Sequence, residues 1–178
     1  MVASTEICPI CGEGHLEHKV AKNNVEYKGQ SAELDLLYSE CDSCGSEQSD
    51  AAQLRANKRA MVCFKKQVDG LLTGEQVRAL RERLGINQAE AARIFGGGPV
   101  AFSKYEADDV AQSEAMDKLL RLADSVPVAF EQLVLKSGVK LDSKATGGWE
   151  KVEMPRARKG LRVISSSQPE PEGIWKAA

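Results

Sequence analysis

Alternating polar and apolar positions indicate β-strands in the N-terminal part of the chain, and a helical spacing of apolar residues follows after residue 50. Residues 24–41, NVEYKGQSAELDLLYSEC, alternate in the way expected of strands in a half-buried hairpin. Residues 49–72 are rich in helix formers and predict a helix or helical linker. The basic residues of this segment are Lys58, Arg59, Lys65 and Lys66. They predict a helix face that is solvated or that touches a phosphate backbone.

Capping signals divide the next segment into short helices. Thr73 with Gln76, and Asn87 with Glu90, each form a capping-box pattern before an apolar helix. The apolar residues behind these caps recur at helical spacing: Val77, Leu80 and Leu84, then Ala91, Ala92, Ile94 and Phe95. Residues 113–138 predict two closing helices broken at Pro127.

The glycines of FGGGPV, residues 95–100, favour a turn between helices over a phosphate loop. A phosphate loop needs G-x-x-x-x-G-K-[ST] after a strand, whereas these glycines follow a helix and no Lys-Ser/Thr comes directly after them. Gly96 is expected to cap one helix, Gly98 to begin the next, and Pro99 to occupy its first position. The pattern is that of a helix–turn–helix.

The second helix of this unit is expected to read DNA. Phe102 and Tyr105 would face the core. A recognition helix contacts base edges with its N-terminal residues, while the preceding helix lies on the backbone. The candidate base-contacting residues face outward: Val100, Ser103 and Lys104. Gln88, which begins the preceding helix, is the candidate for a phosphate contact.

Two C-x-x-C-G knuckles predict a structural zinc site. Cys8 and Cys11 form the first, and Cys41 and Cys44 form the second, after a gap of 29 residues that leaves room for a hairpin. Four thiolates form the closed tetrahedral arrangement of structural zinc, one Zn²⁺ per chain. Reduced buried cysteines or a redox dithiol are the alternatives, but no thioredoxin-like pattern accompanies these motifs.

A closed four-thiolate site argues against catalysis, because it leaves no coordination position open for water or substrate. His15 and His18 are interpreted as surface residues, and Cys63 as a small core residue. The sequence shows no Ser/His/Asp or Cys/His set, so we expect a protein that is not an enzyme.

Composition places the chain in the cytoplasm and gives it an acidic N-terminal third. No stretch reaches the roughly 18 to 20 apolar residues of a membrane helix, and no secretory signal is recognisable. Residues 1–50 contain ten Asp and Glu against three Lys, a balance of −7, although the whole chain carries only −2. This imbalance suits a basic protein partner, or is simply a solvated acidic surface.

The segment from Gln88 to Glu106, Q-x-E-x-A-x-x-F-G-G-G-x-x-A-F-S-[K/R]-Y-E, resembles the MqsA antitoxins, which combine a YgiT-type zinc finger with an Xre-type helix–turn–helix. The cysteine knuckles resemble the zinc domain of the same family, and the resemblance covers roughly residues 6–136. It implies a homodimer whose zinc domain neutralises a toxin, usually an mRNA-cleaving ribonuclease of the MqsR type. It also implies that the C-terminal domain represses the operon by binding a palindrome in double-stranded DNA.

Two features depart from the family. Its base-reading pair is typically Asn and Arg, and the matching positions here are Val100 and Lys104. Lys can reach a guanine edge or a phosphate, whereas Val can only meet a thymine methyl, so a different operator is expected. The toxin class is also left open, since the zinc module would suit another basic toxin.

The second departure is a C-terminal extension of about 40 residues that is rich in Gly, Ser, Pro and charge. Such a composition predicts disorder. Three interpretations are open: an inert tail, a basic arm around Arg156 and Arg158 that embraces DNA, or a segment held by a SecB-like chaperone through anchors such as Trp149 and Trp175.

Together these patterns predict an α+β protein: a zinc-binding domain with a short β-sheet, an all-α Xre/Cro-like helix–turn–helix domain, and a disordered extension. The expected boundaries are 1–66 for the zinc- and toxin-binding domain with its helical linker, 67–138 for the DNA-binding and dimerisation domain, and 139–178 for the extension. The predicted function is a type II antitoxin and autorepressor. The alternatives are a zinc-containing transcriptional regulator without a toxin, and a zinc-scaffold protein that binds RNA.

Overall fold

The computed structural model describes residues 6–141, which form a small antiparallel sheet followed by helices. The strands are β1 (Leu16–Tyr27), β2 (Gln30–Cys41) and β3 (Glu47–Gln48), in the order β1-β2-β3. The helices are α1 (Ala51–Val68), α2 (Gly74–Arg83), α3 (Gln88–Phe95), α4 (Ala101–Glu106), α5 (Glu114–Ser125) and α6 (Pro127–Ser137). The predicted α+β class is confirmed. The tail candidates Trp149, Arg156, Arg158 and Trp175 lie outside the described residues.

The hairpin β1–β2 brings the two cysteine knuckles to the same end of the sheet. Its register pairs Leu16 with Cys41 at one end and Tyr27 with Gln30 at the other. Lys28 and Gly29 form the two-residue turn, both with positive φ (50° and 74°), the backbone that tight hairpin turns require. Two-residue closure therefore sets the register that places the second knuckle beside the first.

Helix α1 lies along the hairpin and forms hydrogen bonds with backbone groups at the outer edge of β2. The Asn57 side chain accepts a hydrogen bond from the backbone N–H of Leu37 at 2.8 Å and donates one to its carbonyl at 2.9 Å. Where β3 no longer pairs with β2, this side-chain amide takes the place of a neighbouring strand and forms hydrogen bonds with the backbone of β2. At the hairpin tip, Tyr27 and Lys28 both donate to the carboxylate of Asp69, just past the end of α1. The predicted helix is confirmed, and it contacts the hairpin near both of its ends.

The expectation that the basic residues of α1 form a solvated face is wrong for Lys66. Its side chain is fully buried and its ammonium pairs with Asp108 at 2.7 Å. Arg59, on the same side of α1, pairs with Asp109 at 2.8 Å. Both cations face the loop after α4. Two adjacent acidic residues in this loop compensate the positive charges that lose contact with water where α1 packs against the loop.

Helices α2 to α6 surround one apolar core. Its most deeply buried side chains come from four of the helices: Val77, Leu80, Ala91, Phe102, Leu120 and Ala123. The capping boxes predicted for α2 and α3 are both present. The core continues past residue 138, since Val139 is buried and Leu141 packs against it. Within residues 6–141, no helix has the length and apolar character that a membrane crossing requires.

The turn between α3 and α4 differs from its predicted form at one end. Gly96 caps α3 as expected, but Val100, and not Gly98, is the N-cap of α4. Gly98 has φ of 87°, whereas an N-cap residue needs negative φ, so Gly98 and Pro99 belong to the turn. The helix–turn–helix is present, with α4 beginning two residues later than the sequence suggested.

Candidate zinc centre and nucleic-acid interface

The four predicted cysteine ligands converge at the knuckle end of the hairpin. The sulfur atoms of Cys8, Cys11, Cys41 and Cys44 all lie within 4.8 Å of one another. The Sγ–Sγ distances are 3.9 Å between Cys8 and Cys44 and 3.7 Å between Cys11 and Cys41. A zinc ion with Zn–S bonds of about 2.3 Å requires a tetrahedron edge of about 3.8 Å. The donor set therefore fits one tetrahedral Zn²⁺.

Each knuckle turns back on itself through a glycine. The N–H of Gly12 donates to the carbonyl of Cys8, and that of Gly45 to the carbonyl of Cys41; both glycines have positive φ. Gly14 serves a different purpose that the sequence motif did not reveal. A Cβ atom at this position would lie 2.5 Å from the sulfur of Cys41, so only glycine lets the chain pass this close to the site.

The thiols differ in acidity according to their hydrogen bonds. The backbone N–H of Cys11 and the hydroxyl of Ser46 stabilise the thiolate of Cys8 and lower its pKa to about 6. The backbone N–H of Cys44 lowers the pKa of Cys41, but burial and the neighbouring sulfur atoms outweigh it and raise that pKa to about 11. A bound Zn²⁺ ionises all four thiols, since a coordinating sulfur is a thiolate.

The remaining candidate ligands stay outside this cluster. His15 and His18 are both exposed, as expected. His18 lies beside Ser39 and accepts a hydrogen bond from Gln53 of α1, so it joins the helix to the sheet. Cys63 is partly buried on α1, and burial raises the pKa of its thiol.

Helix α4 presents three of the four candidate DNA-contacting residues to solvent. Val100 is 54% exposed, and the side chains of Ser103 and Lys104 are exposed as well. No ion pair within the described part of the chain engages the ammonium of Lys104. The hydroxyl of Ser103 donates to the carbonyl of Val100 at 2.9 Å, so only its acceptor capacity remains for a partner, beside the cation of Lys104.

Gln88 is held differently. It begins α3 as expected, but it is half-buried and its amide donates to the carboxylate of Glu106 at 2.9 Å. The carboxylate of Glu106 also accepts from Arg81 at 2.6 Å and from Arg78 at 3.4 Å. This buried carboxylate therefore ties together α2, α3 and α4.

Sequence reasoning assigned no role to Glu106, although it closes the motif from Gln88 to Glu106, because its neighbours in YEADD make it look like a surface acid. Burial alone would raise the pKa of Glu106, but the hydrogen bonds and charges of Arg81, Gln88 and Arg78 more than offset it and hold that pKa below its usual value. The carboxylate is therefore ionised at neutral pH and connects the helices of the helix–turn–helix with the preceding helix α2.

Comparison with known proteins accounts for both parts of this arrangement. The chain matches the sequence model of the family described as "Antitoxin component of bacterial toxin-antitoxin system, MqsA" over residues 7–133. It is also similar to Antitoxin MqsA of Escherichia coli (strain K12), with 29% identity over 135 residues that cover 71% of this chain and 98% of that protein. The matched span contains the four thiols and the helix–turn–helix.

Proposed function

Since the chain belongs to the MqsA antitoxin family, we propose that it neutralises a cognate toxin through its zinc-bearing part and represses its own operon through its helix–turn–helix. The observation that carries this proposal is one family match that spans both the four-thiol cluster and α4. A closed four-thiolate site suits a scaffold that presents a surface and does no chemistry of its own. The protein would act in the cytoplasm.

Charge supports a basic toxin, such as an MqsR-like or other ribonuclease, as the partner of the zinc-bearing part. The lysines of residues 1–50 each pair with a carboxylate, at Glu40, Asp35 and Asp69. Several acidic side chains remain exposed around the hairpin: Glu13, Glu17, Glu26 and Glu47. An RNA-cleaving enzyme must be basic to hold its substrate, so complementary charge would speed its encounter with this surface.

Exposed apolar side chains on the closing helices support a homodimer. Leu122 on α5 is 49% exposed, and Val128 and Leu135 on α6 are 63% and 74% exposed. A symmetric pair of chains would bury such a surface and place two copies of α4 on a palindromic operator.

Lys104→Ala should weaken operator binding. If Lys104 contacts a base, we expect discrimination at one operator position to fall by about 1–3 kcal/mol. If it contacts a phosphate, affinity should fall for all sequences and the salt slope should shrink by about 1. Fluorescence anisotropy with the DNA upstream of the gene, in a salt titration, distinguishes the two.

Lys136→Ala is the control, because it removes the same charge from an exposed position on α6. An equal loss of affinity in both variants would show that α4 is not the DNA-reading helix.

Co-expression with the neighbouring gene tests the toxin. We expect the full-length chain to restore growth against a short basic protein encoded next to it. Lys104→Ala should restore growth equally well, whereas Cys41→Ser should not, because it removes a zinc ligand. Rescue by Cys41→Ser and failure of Lys104→Ala would contradict this division of labour. Rescue only with an added SecB-like chaperone would instead assign the extension a role.

A further inference from the structure

The exposed valine at the start of α4 is not explained by the stability of the fold. Val100 is 54% exposed, and within residues 74–106, all of which the structure describes, no other large apolar side chain is exposed. It is the N-cap of α4 and makes no side-chain hydrogen bond to the first turn. The N-caps of α2, α3 and α5 each accept such a bond; they are Thr73, Asn87 and Ser113. Valine is among the poorest N-cap residues, so capping does not account for it.

Val100 belongs to the outward face of α4, together with Lys104 one turn further along. Residues four positions apart lie on the same face of a helix. Ala101 and Phe102 face the protein interior, since they are 6% and 1% exposed. Val100 therefore lies at the N-terminal end of the outward face, where a recognition helix in the major groove contacts base edges.

The polar candidates beside Val100 are engaged within the protein. Ser103 donates its hydroxyl proton to the carbonyl of Val100 at 2.9 Å. Gln88 is half-buried, and its amide nitrogen donates to the carboxylate of Glu106 at 2.9 Å. An amide that recognises adenine must present both its nitrogen and its oxygen to the base edge. With Gln88 held in this way, an A·T pair at this face is left to be recognised from the thymine side.

The methyl groups of Val100 are held in place before DNA binds. Valine is branched at Cβ, which restricts its χ1 angle. Pro99 limits the backbone on one side through its fixed φ, and the buried Ala101 anchors it on the other. The carbonyl of Val100 accepts from the N–H of Lys104 at 3.2 Å and from the hydroxyl of Ser103. A side chain fixed in this way loses little conformational entropy when it forms a contact.

We propose that Val100 is a specificity-determining residue that recognises the 5-methyl group of a thymine in the major groove of the operator. Thymine is the base that presents a methyl group there, and apolar side chains contact it. Cytosine at the same position would place an amino donor against the valine, where it would lose water without gaining an acceptor. This proposal rests on the proposed binding of operator DNA by α4.

Deoxyuridine tests the proposal, because uracil differs from thymine by the missing methyl group and keeps the same groove acceptor. The DNA upstream of the gene is prepared as duplexes in which each thymine in turn, with its symmetry-related mate, is replaced. We expect one position at which the replacement weakens binding of the zinc-loaded full chain. The expected factor is about fourfold per half-site, which corresponds to the burial of one methyl-sized group. Fluorescence anisotropy measures the affinity.

Val100→Ala should abolish this sensitivity to the methyl group. Alanine and valine are equally poor N-caps, so α4 should keep its stability. The variant should bind the thymine operator about as weakly as the unaltered chain binds the uracil operator, and the replacement should leave its affinity unchanged. The matched control is Val20→Ala, which shortens a valine of β1 that is 60% exposed. This control should retain the full fourfold effect.

The outcomes separate the methyl contact from operator binding itself. Binding with no methyl-sensitive thymine, or a sensitivity that persists in Val100→Ala, would overturn the proposal and leave the repressor function intact. An equal loss of sensitivity in Val20→Ala would also overturn it, because the effect would then not belong to α4. Failure of the unaltered chain to bind any upstream duplex would refute operator binding, and the methyl contact with it.

Discussion

Cys41→Ser is expected to lose the zinc ion and to unfold the hairpin end of the molecule. Cys41 pairs with Leu16 at the end of the hairpin, and this residue is only 2% exposed, with its sulfur beside the other three thiols. The apolar cluster around it contains little else, namely Cys8, Leu16 and Cys11. A core this small does not hold a fold without a metal or a disulfide, so the free energy of binding zinc at these thiols would stabilise this part directly.

Metal analysis and amide spectra measure this outcome. The unaltered protein should carry about one zinc per chain, and Cys41→Ser should carry none. The amide resonances of β1 and β2 should collapse toward random-coil positions in the variant, while those of the α2–α6 core keep theirs, because that core contains no zinc ligand.

Cys63→Ser is the matched control, since it replaces a thiol outside the cluster. It should retain full zinc content and the full set of hairpin resonances. Freshly prepared protein without zinc but with an intact hairpin would show that the thiols alone stabilise the structure.

Glu106→Gln should destabilise the helix–turn–helix by about 3 kcal/mol, the usual cost of removing one partner from a buried ion pair. The Glu106 side chain is 1% exposed, and that of Arg81 is only 13% exposed, so the guanidinium would lose its carboxylate where little water can replace it. The single amide oxygen of the new side chain could not replace both carboxylate oxygens, which accept from Arg78, Arg81 and Gln88. Urea denaturation should show a lower midpoint for the helical core.

Glu114→Gln is the comparison variant, because its carboxylate pairs with Lys118 on an exposed face. An exposed pair of this kind contributes little, so the midpoint should hardly move. Equal stability of the Glu106 and Glu114 variants would mean that the buried carboxylate does not hold the three helices together.

The carboxylate of Glu106 should also make the stability of the protein depend on pH. Since the pKa of Glu106 in the folded protein is lower than its ordinary value of 4.5, its contribution to stability is fully present above that value. This contribution is lost as the pH falls through the lowered pKa. The unaltered protein should therefore lose stability more steeply than Glu106→Gln below about pH 4.5. Parallel curves of unfolding free energy against pH for the two proteins would contradict the assignment of this pH dependence to Glu106.

The local features of this protein were predictable because they depend on short-range spacing. Two thiols separated by two residues and followed by glycine point at one ion whatever the rest of the fold does. The caps of α2 and α3 likewise involve side chains and backbone groups three residues apart. The four converging thiols and the helix–turn–helix were accordingly visible in the sequence.

The start of α4 shows where this local reasoning fails. Pro99 fits the first position of a helix, but three successive glycines with positive φ extend the turn and move the N-cap to Val100. Residue preferences permitted both boundaries, and the packing of Ala101 and Phe102 into the core selected the later one.

What the sequence determined by itself is therefore the set of four converging cysteines, the order of the elements and the exposed residues of α4. Only the tertiary structure decided which charges are buried. Lys66 and Glu106 have the same local patterns as solvated residues, and they are buried because partners 42 and 25 positions away, Asp108 and Arg81, compensate them. A charge leaves water only where a distant part of the chain supplies its counter-ion, and that depends on the packed arrangement of helices and not on spacing along the sequence.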